Sequence, residues 1–158
     1  MPFHSEMSDA VFMGGPVLAR VGQLTNDPVY FDACFQHVST MKKMLLRPDG
    51  IYRHSPLDKA AWGRGNGFPA LGLAMILSHF PDKHPHRQKL VAAFRSHVSS
   101  LLPHQSRSGC WHQIIDRDNS YRELTSTCMI TFAMARGVRM GWLKAEKFEE
   151  PIRRAWSV

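Results

Sequence analysis

Apolar residues return every three or four positions along most of this chain, the spacing of a helix with one buried face. A first stretch opens at Ser8, read as an N-cap, and runs through Val11, Phe12, Gly15, Leu18, Ala19 and Gly22. Pro16 falls inside it, where a proline removes one hydrogen bond and bends the helix. After a turn at Thr25-Asn26-Asp27-Pro28, a second stretch extends to Leu46 on Tyr30, Phe31, Cys34, Phe35, Val38, Met41 and Leu45. A third covers Asn66 to Phe80, with Pro69 in its first turn. A fourth covers Pro85 to Leu102 on Leu90, Phe94, Val98, Leu101 and Leu102. A fifth runs from Leu124 or Thr125 to Arg139, with Met129, Phe132, Ala133, Ala135 and Val138 on its apolar side. A sixth spans Glu146 to Ser157.

Between these stretches there is almost no alternating pattern. Ile51-Tyr52-Arg53-His54 reads as a short extended piece, and Gly109 to Asp116 as a strand or hairpin arm. The expectation is an all-α fold of three antiparallel helical hairpins. Linkers 47–62 and 104–123 are long and the others short. Hairpins stacked side by side put the long linkers at one end, and that end is the expected site.

The first long linker runs into Ala61-Trp62-Gly63-Arg64-Gly65-Asn66-Gly67-Phe68, the stretch richest in candidate chemistry. An indole gives a flat stacking face, and a guanidinium gives a rigid fork of donors for a carboxylate. The glycine spacing fits neither the phosphate loop nor the dinucleotide fingerprint. It fits a ligand-gripping loop or a structural turn before a helix, and spacing alone leaves both open. His54 reads equally as a core, surface or ligand-contacting histidine, and Asp9 as an acidic residue facing the positive end of the first helix. Trp111, His112 and Gln113 form a second aromatic and polar cluster.

The net charge of +7 favours an anionic partner. The Lys and Arg residues are scattered with no run of five, which argues against nucleic acid. Cys34, Cys110 and Cys128 are too widely spaced for a metal site and read as reduced thiols, buried or part-buried. Met1 to Met7 read as polar and irregular without a secretory signal, so the expected location is the cytoplasm. No apolar stretch is long enough to span a bilayer, so no membrane partner is expected.

Trp62-Gly63-Arg64-Gly65-Asn66-Gly67-Phe68 resembles the unsaturated glycuronyl hydrolases of glycoside hydrolase families 88 and 105, and more closely the rhamnogalacturonyl type. Ser8-Asp9-Ala10-Val11-Phe12-Met13-Gly14, Gly50 to His54, Gly109 to Arg117 and Glu123 to Met129 support the likeness in order and interval. The resemblance implies an (α/α)6 barrel. Residues 1–158 correspond to one domain that is incomplete at both ends, about three hairpins from the middle of the ring.

It also implies hydration of a vinyl ether in saccharides that end in a 4,5-unsaturated uronic acid, without metal or organic cofactor. An inactive remnant that binds acidic saccharides is the alternative. Asp9 matches the catalytic aspartate, and His54, Trp62 and Arg64 match substrate-binding positions. Phe68 stands where relatives carry tryptophan, and Met13 and Gln113 match wall positions. A second site carboxylate is expected upstream of Met1, and neither Asp116 nor Glu123 replaces it, since both match other motif positions.

Overall fold

The computed structural model describes residues 7–158. The irregular start expected for Met1 to Met7 lies, but for Met7, outside the described residues. Six α-helices appear in chain order: α1 (Ala10–Thr25), α2 (Pro28–Leu45), α3 (Gly63–His79), α4 (Arg87–Leu101), α5 (Leu124–Arg139) and α6 (Ala145–Trp156). A single 3₁₀ turn, Leu102–His104, closes α4 at Pro103. Two short antiparallel strands, β1 (Trp111–His112) and β2 (Arg122–Glu123), pair Trp111 with Glu123. The helices form three hairpins. α1, α3 and α5 pack side by side as an inner layer, while α2, α4 and α6 each back onto their own inner helix.

The turns obey local chemistry. Asn26 ends α1 in the left-handed region with φ 56°, which asparagine tolerates better than most residues. The Asp27 side chain then accepts from Val29 N–H and caps α2 ahead of Pro28. One core runs through all three hairpins, with Val11, Ala19, Cys34, Val38, Leu73, Phe94 and Trp111 all buried in it.

Three boundaries and one face differ from the sequence reading. Asp9, not Ser8, occupies the N-cap of α1; its backbone is already helical and its side chain makes no capping bond. α1 runs on through Pro16, which is buried. α4 starts at Arg87 because residues 81–86 are spent on turns closed by His84 and Arg87 backbone bonds. On α5 the buried arc is Ile130, Thr131, Ala133, Met134 and Gly137, while Phe132 and Ala135 face outward. Both arcs of α5 are apolar, so spacing alone does not choose between them. Cys128 lies on the outward arc and is exposed, unlike buried Cys34 and Cys110.

The largest difference is the start of α3. The helix begins at Gly63, three residues before the expected Asn66, so the glycine-rich block is helix and not loop. Pro69 therefore sits in the second turn. Glycine disfavours helix by about 1 kcal/mol per residue, so tertiary contacts outweigh propensity here. Trp62 bridges to Ile114, and Gly63 N–H donates to Gln113 O at 2.7 Å. Asn66 completes the lock. Its Oδ1 accepts from Tyr52 N–H at 2.7 Å, and its Nδ2 donates to Tyr52 O and Trp62 O.

Asn66→Ala leaves the Tyr52 N–H and C=O buried without these partners. The expected loss of stability is about 2–4 kcal/mol, read by urea unfolding.

Candidate active site

The N-terminal ends of the three inner helices meet where both long linkers end. Ser8 N–H donates to His54 O at 3.0 Å, which ties the start of α1 to the first linker. His54 N–H in turn donates to Ala60 O, so residues 54–60 form a closed loop just before Trp62. The start of α3 is tied to the second linker through Gln113 and Ile114.

Asp9 and His54 face each other across this junction. Asp9 Oδ1 lies 4.0 Å from His54 Nδ1, and the two side chains are 25% and 28% exposed. Because Asp9 does not cap α1, its carboxylate is available to other partners. The Trp62 indole meets the His54 ring edge-on at 6.5 Å between centroids. Its orientation is fixed by Asp58, whose Oδ2 accepts from Trp62 Nε1–H at 2.6 Å. That bond, with a second from Ala60 N–H, holds the Asp58 carboxyl below its ordinary range.

Arg64 projects from the first turn of α3 toward α5, and is half exposed. Its Nη1 lies 3.7 Å from Glu123 Oε1. Glu123 is the N-cap of α5; its side chain accepts from Thr125 N–H and Ser126 N–H. Burial raises the Glu123 carboxyl's pKa, but the bonds from Ser126 and Thr125 outweigh it and leave the group below its usual range. Phe68 packs against Phe12 at 5.3 Å between ring centroids and forms an apolar wall one turn below Arg64.

The structure thus brings Asp9, His54 and Trp62 together, with Arg64 and Phe68 on the same helix as Trp62's cap position. Gln113 joins them through its backbone, and its side-chain Oε1 is buried. Met13 is the outlier. It lies one turn along α1 from Asp9, 58% exposed, and contributes no enclosed wall.

Four buried polar atoms here lack a hydrogen-bond partner among the described residues: Ser8 Oγ, Asp9 Oδ1, His54 Nδ1 and Gln113 Oε1. Buried polar groups are normally paired, and these four gather where the start of α1 meets the two long linkers. No group of three or more His, Cys, Asp or Glu side chains among the described residues is placed to hold a metal ion. Sequence reasoning missed two contributors. Asp58 looked like a loop residue, and nothing but its four-residue interval from Trp62 points to the indole bond. Glu123 escaped notice as a cap because glutamate is not among the preferred N-cap residues.

The all-α hairpin stack thus gathers a carboxylate, an indole and a guanidinium at one end of its inner helices. The chain belongs to Glycosyl Hydrolase Family 88, which residues 4–158 match. It is 29% identical over 166 residues to an unsaturated 3S-rhamnoglycuronyl hydrolase of Formosa agariphila, covering 94% of this chain and 44% of that protein. It is also 29% identical over 135 residues to an unsaturated rhamnogalacturonyl hydrolase of Bacillus subtilis, covering 80% of this chain and 39% of that one. The chain therefore spans less than half the length of these curated relatives. The fold matches a family 88 glycosyl hydrolase from Bacteroides vulgatus with a TM-score of 0.92 at 20% identity, over 96% of this chain and 48% of that structure. The six helices are thus three hairpins of the six-hairpin (α/α)6 barrel.

Glu123→Gln tests the cap charge. Because the folded carboxyl titrates below its unfolded value, its contribution is present above pH 4.5 and is lost as pH falls through the folded pKa. Thermal unfolding scans from neutral pH to pH 3 are expected to show a smaller acid-side loss of stability for the variant than for the wild type.

Proposed function

We propose that this chain carries the acid-base half of a site that hydrates saccharides ending in a 4,5-unsaturated uronic acid. The observation that carries the reading is the Asp9 carboxylate, released from capping α1 and held 4.0 Å from His54 beside the Trp62 indole. The two hydrolases named above act, by their names, on unsaturated rhamnoglycuronyl and rhamnogalacturonyl saccharides. We take rhamnose-linked unsaturated uronates of the kind found in pectin breakdown as this chain's substrate class.

The chemistry needs one carboxyl in two protonation states. Protonated Asp9 delivers its proton to C4; the C4=C5 electron pair forms the new C–H bond and leaves positive charge shared between C5 and the ring oxygen. Water then bonds to C5 and gives a proton to the Asp9 carboxylate, which restores the acid. The resulting hemiketal opens and releases the remaining saccharide. Trp62 offers its face to the sugar ring, with its N–H already taken by Asp58. Arg64 binds the uronate carboxylate while Glu123 steadies the other side of its guanidinium. His54 contacts the sugar or its water, and the Phe68–Phe12 pair closes the apolar side. Phe68 has no N–H to donate, so this wall recognises the substrate by shape alone.

The test is loss of the ultraviolet absorbance of the conjugated double bond in an unsaturated rhamnogalacturonan disaccharide. Asp9→Asn is expected to lower kcat by about 10²–10⁴-fold, the usual worth of general acid-base catalysis. Its KM is expected to stay near the wild-type value. Equal rates for variant and wild type remove Asp9 from the chemistry. Arg64→Ala is expected to act chiefly on KM, raising it about tenfold for loss of one charge-assisted contact.

A further inference from the structure

Both open edges of the three-hairpin stack are apolar. On α1, the side opposite its buried face carries Met13, Val17 and Leu24, each more than half exposed. They form one stripe down the length of the helix. At the other edge, Leu124, Cys128 and Ala135 of α5 line an open groove with Trp156 of α6. Leu124 and Trp156 are also more than half exposed. Neither α1 nor α5 contains an acidic residue, and their bases, Arg20, Arg136 and Arg139, lie in the far half of each helix. A helix that is apolar all round is a covered helix.

Three hairpins make half of a six-hairpin ring. We infer that a second copy of this chain covers both edges, the two copies being related by a half-turn about the ring axis. The half-turn sets the α1 edge of each copy on the α5 edge of the other. Both edges of both copies close together, and none is left to extend the assembly. Inner helices then neighbour one another across each seam as α1, α3 and α5 do within the chain. The area is sufficient. A 16-residue inner helix is about 24 Å long, and two helix widths of about 10 Å give each edge a footprint of roughly 500 Å². Two edges on each of two copies bury roughly 2,000 Å² in total, the scale of a stable homodimer.

The seam also finishes the site. Both α1 and α5 begin at the site end, so the partner's Leu124 and Cys128 come level with Met13, one turn inside α1. Met13, open to solvent in a single chain, gains the cover it lacks there. The seam follows from the fold alone; only the use of Met13 as a substrate wall rests on the hydration reading.

Sedimentation of the 158-residue chain is expected to give twice the mass of one copy. Val17→Asp and Ala135→Asp each alter a surface that is exposed in a single chain. Each is expected to halve the sedimenting mass and leave the circular dichroism unchanged. A monomeric wild type overturns the inference. So does a mass that keeps growing with concentration, or a dimer that both variants leave intact.

A short bis-maleimide cross-linker reads the arrangement, because Cys128 is exposed while Cys34 and Cys110 are buried. Met13→Cys is expected to be joined to Cys128 of the partner subunit. The wild type, with its two Cys128 thiols on opposite sides of the ring, is expected to stay unjoined, as is Gln36→Cys on the exposed face of α2. Joined wild-type chains put α5 against α5 and overturn the half-turn arrangement, as does a Met13→Cys chain that stays single. None of these readouts involves catalysis. A closed dimer that leaves the double bond untouched therefore sinks the hydration reading and leaves the ring standing.

Discussion

The side chain of Asn66 is the joint on which this site turns. One carboxamide, fully buried, takes up the backbone N–H and C=O of Tyr52 and the C=O of Trp62. The first linker thereby becomes a pseudo-strand laid against the start of α3, and the indole and imidazole rings share one ledge. The Asn66 backbone carbonyl is 3.1 Å from His97 Nε2 of α4, and His97 Nδ1 is 3.2 Å from Gly50 O. Burial pulls the His97 pKa down, against the opposite pull of the two carbonyls it faces. Ser100 Oγ also donates to Gly50 O, at 2.7 Å. A chain of polar contacts thus runs from the outer helix through α3 to the site, inside an otherwise apolar core where unpaired groups are costly.

The helix layering explains why the chemistry gathers where it does. Inner helices begin at the end where both long linkers finish, and outer helices are reached by short turns at the other end. Three helix N-termini side by side make a region of positive potential, suited to a substrate that carries a carboxylate. Glu123 occupies one of these termini and Arg64 returns a positive charge beside it. Lower on the same inner layer, Leu71, Met75, Cys128, Met129 and Phe132 line an apolar groove between α3 and α5.

Helix number, order and pairing were legible because the three-four rhythm is sustained and the breakers are strong. What the rhythm misses is local. Helix propensity argues against Gly63 and Gly65 as helix, yet backbone bonds from Trp62 and Gly63 to the second linker start α3 there. The inward side of α5 was misread because apolar residues surround it, and only the position of α3 and α6 decides which arc is covered. Trp62 and Arg64 stood out by their chemistry. Asp9 and His54 did not, since a lone acid at a helix start and a lone histidine in a linker are ordinary; the resemblance singled them out, and the fold then placed them side by side. Asn66 was hidden because its side chain's partners are backbone atoms, and Asp58 because an acid in a loop four residues before an indole is ordinary.

The alternating glycines at the head of α3 each yield to a different neighbour. Beside Gly63 lie His112 O and the Ser126 hydroxyl; beside Gly65, Ser8 and His54; beside Gly67, Met129. One turn of helix is thus clasped on three sides by segments that never touch one another in sequence. Any attempt to broaden what this scaffold accepts will find that turn closed to variation. New selectivity has to be written at Phe68, which lies next to that turn, packs against Phe12 and carries none of its backbone constraints.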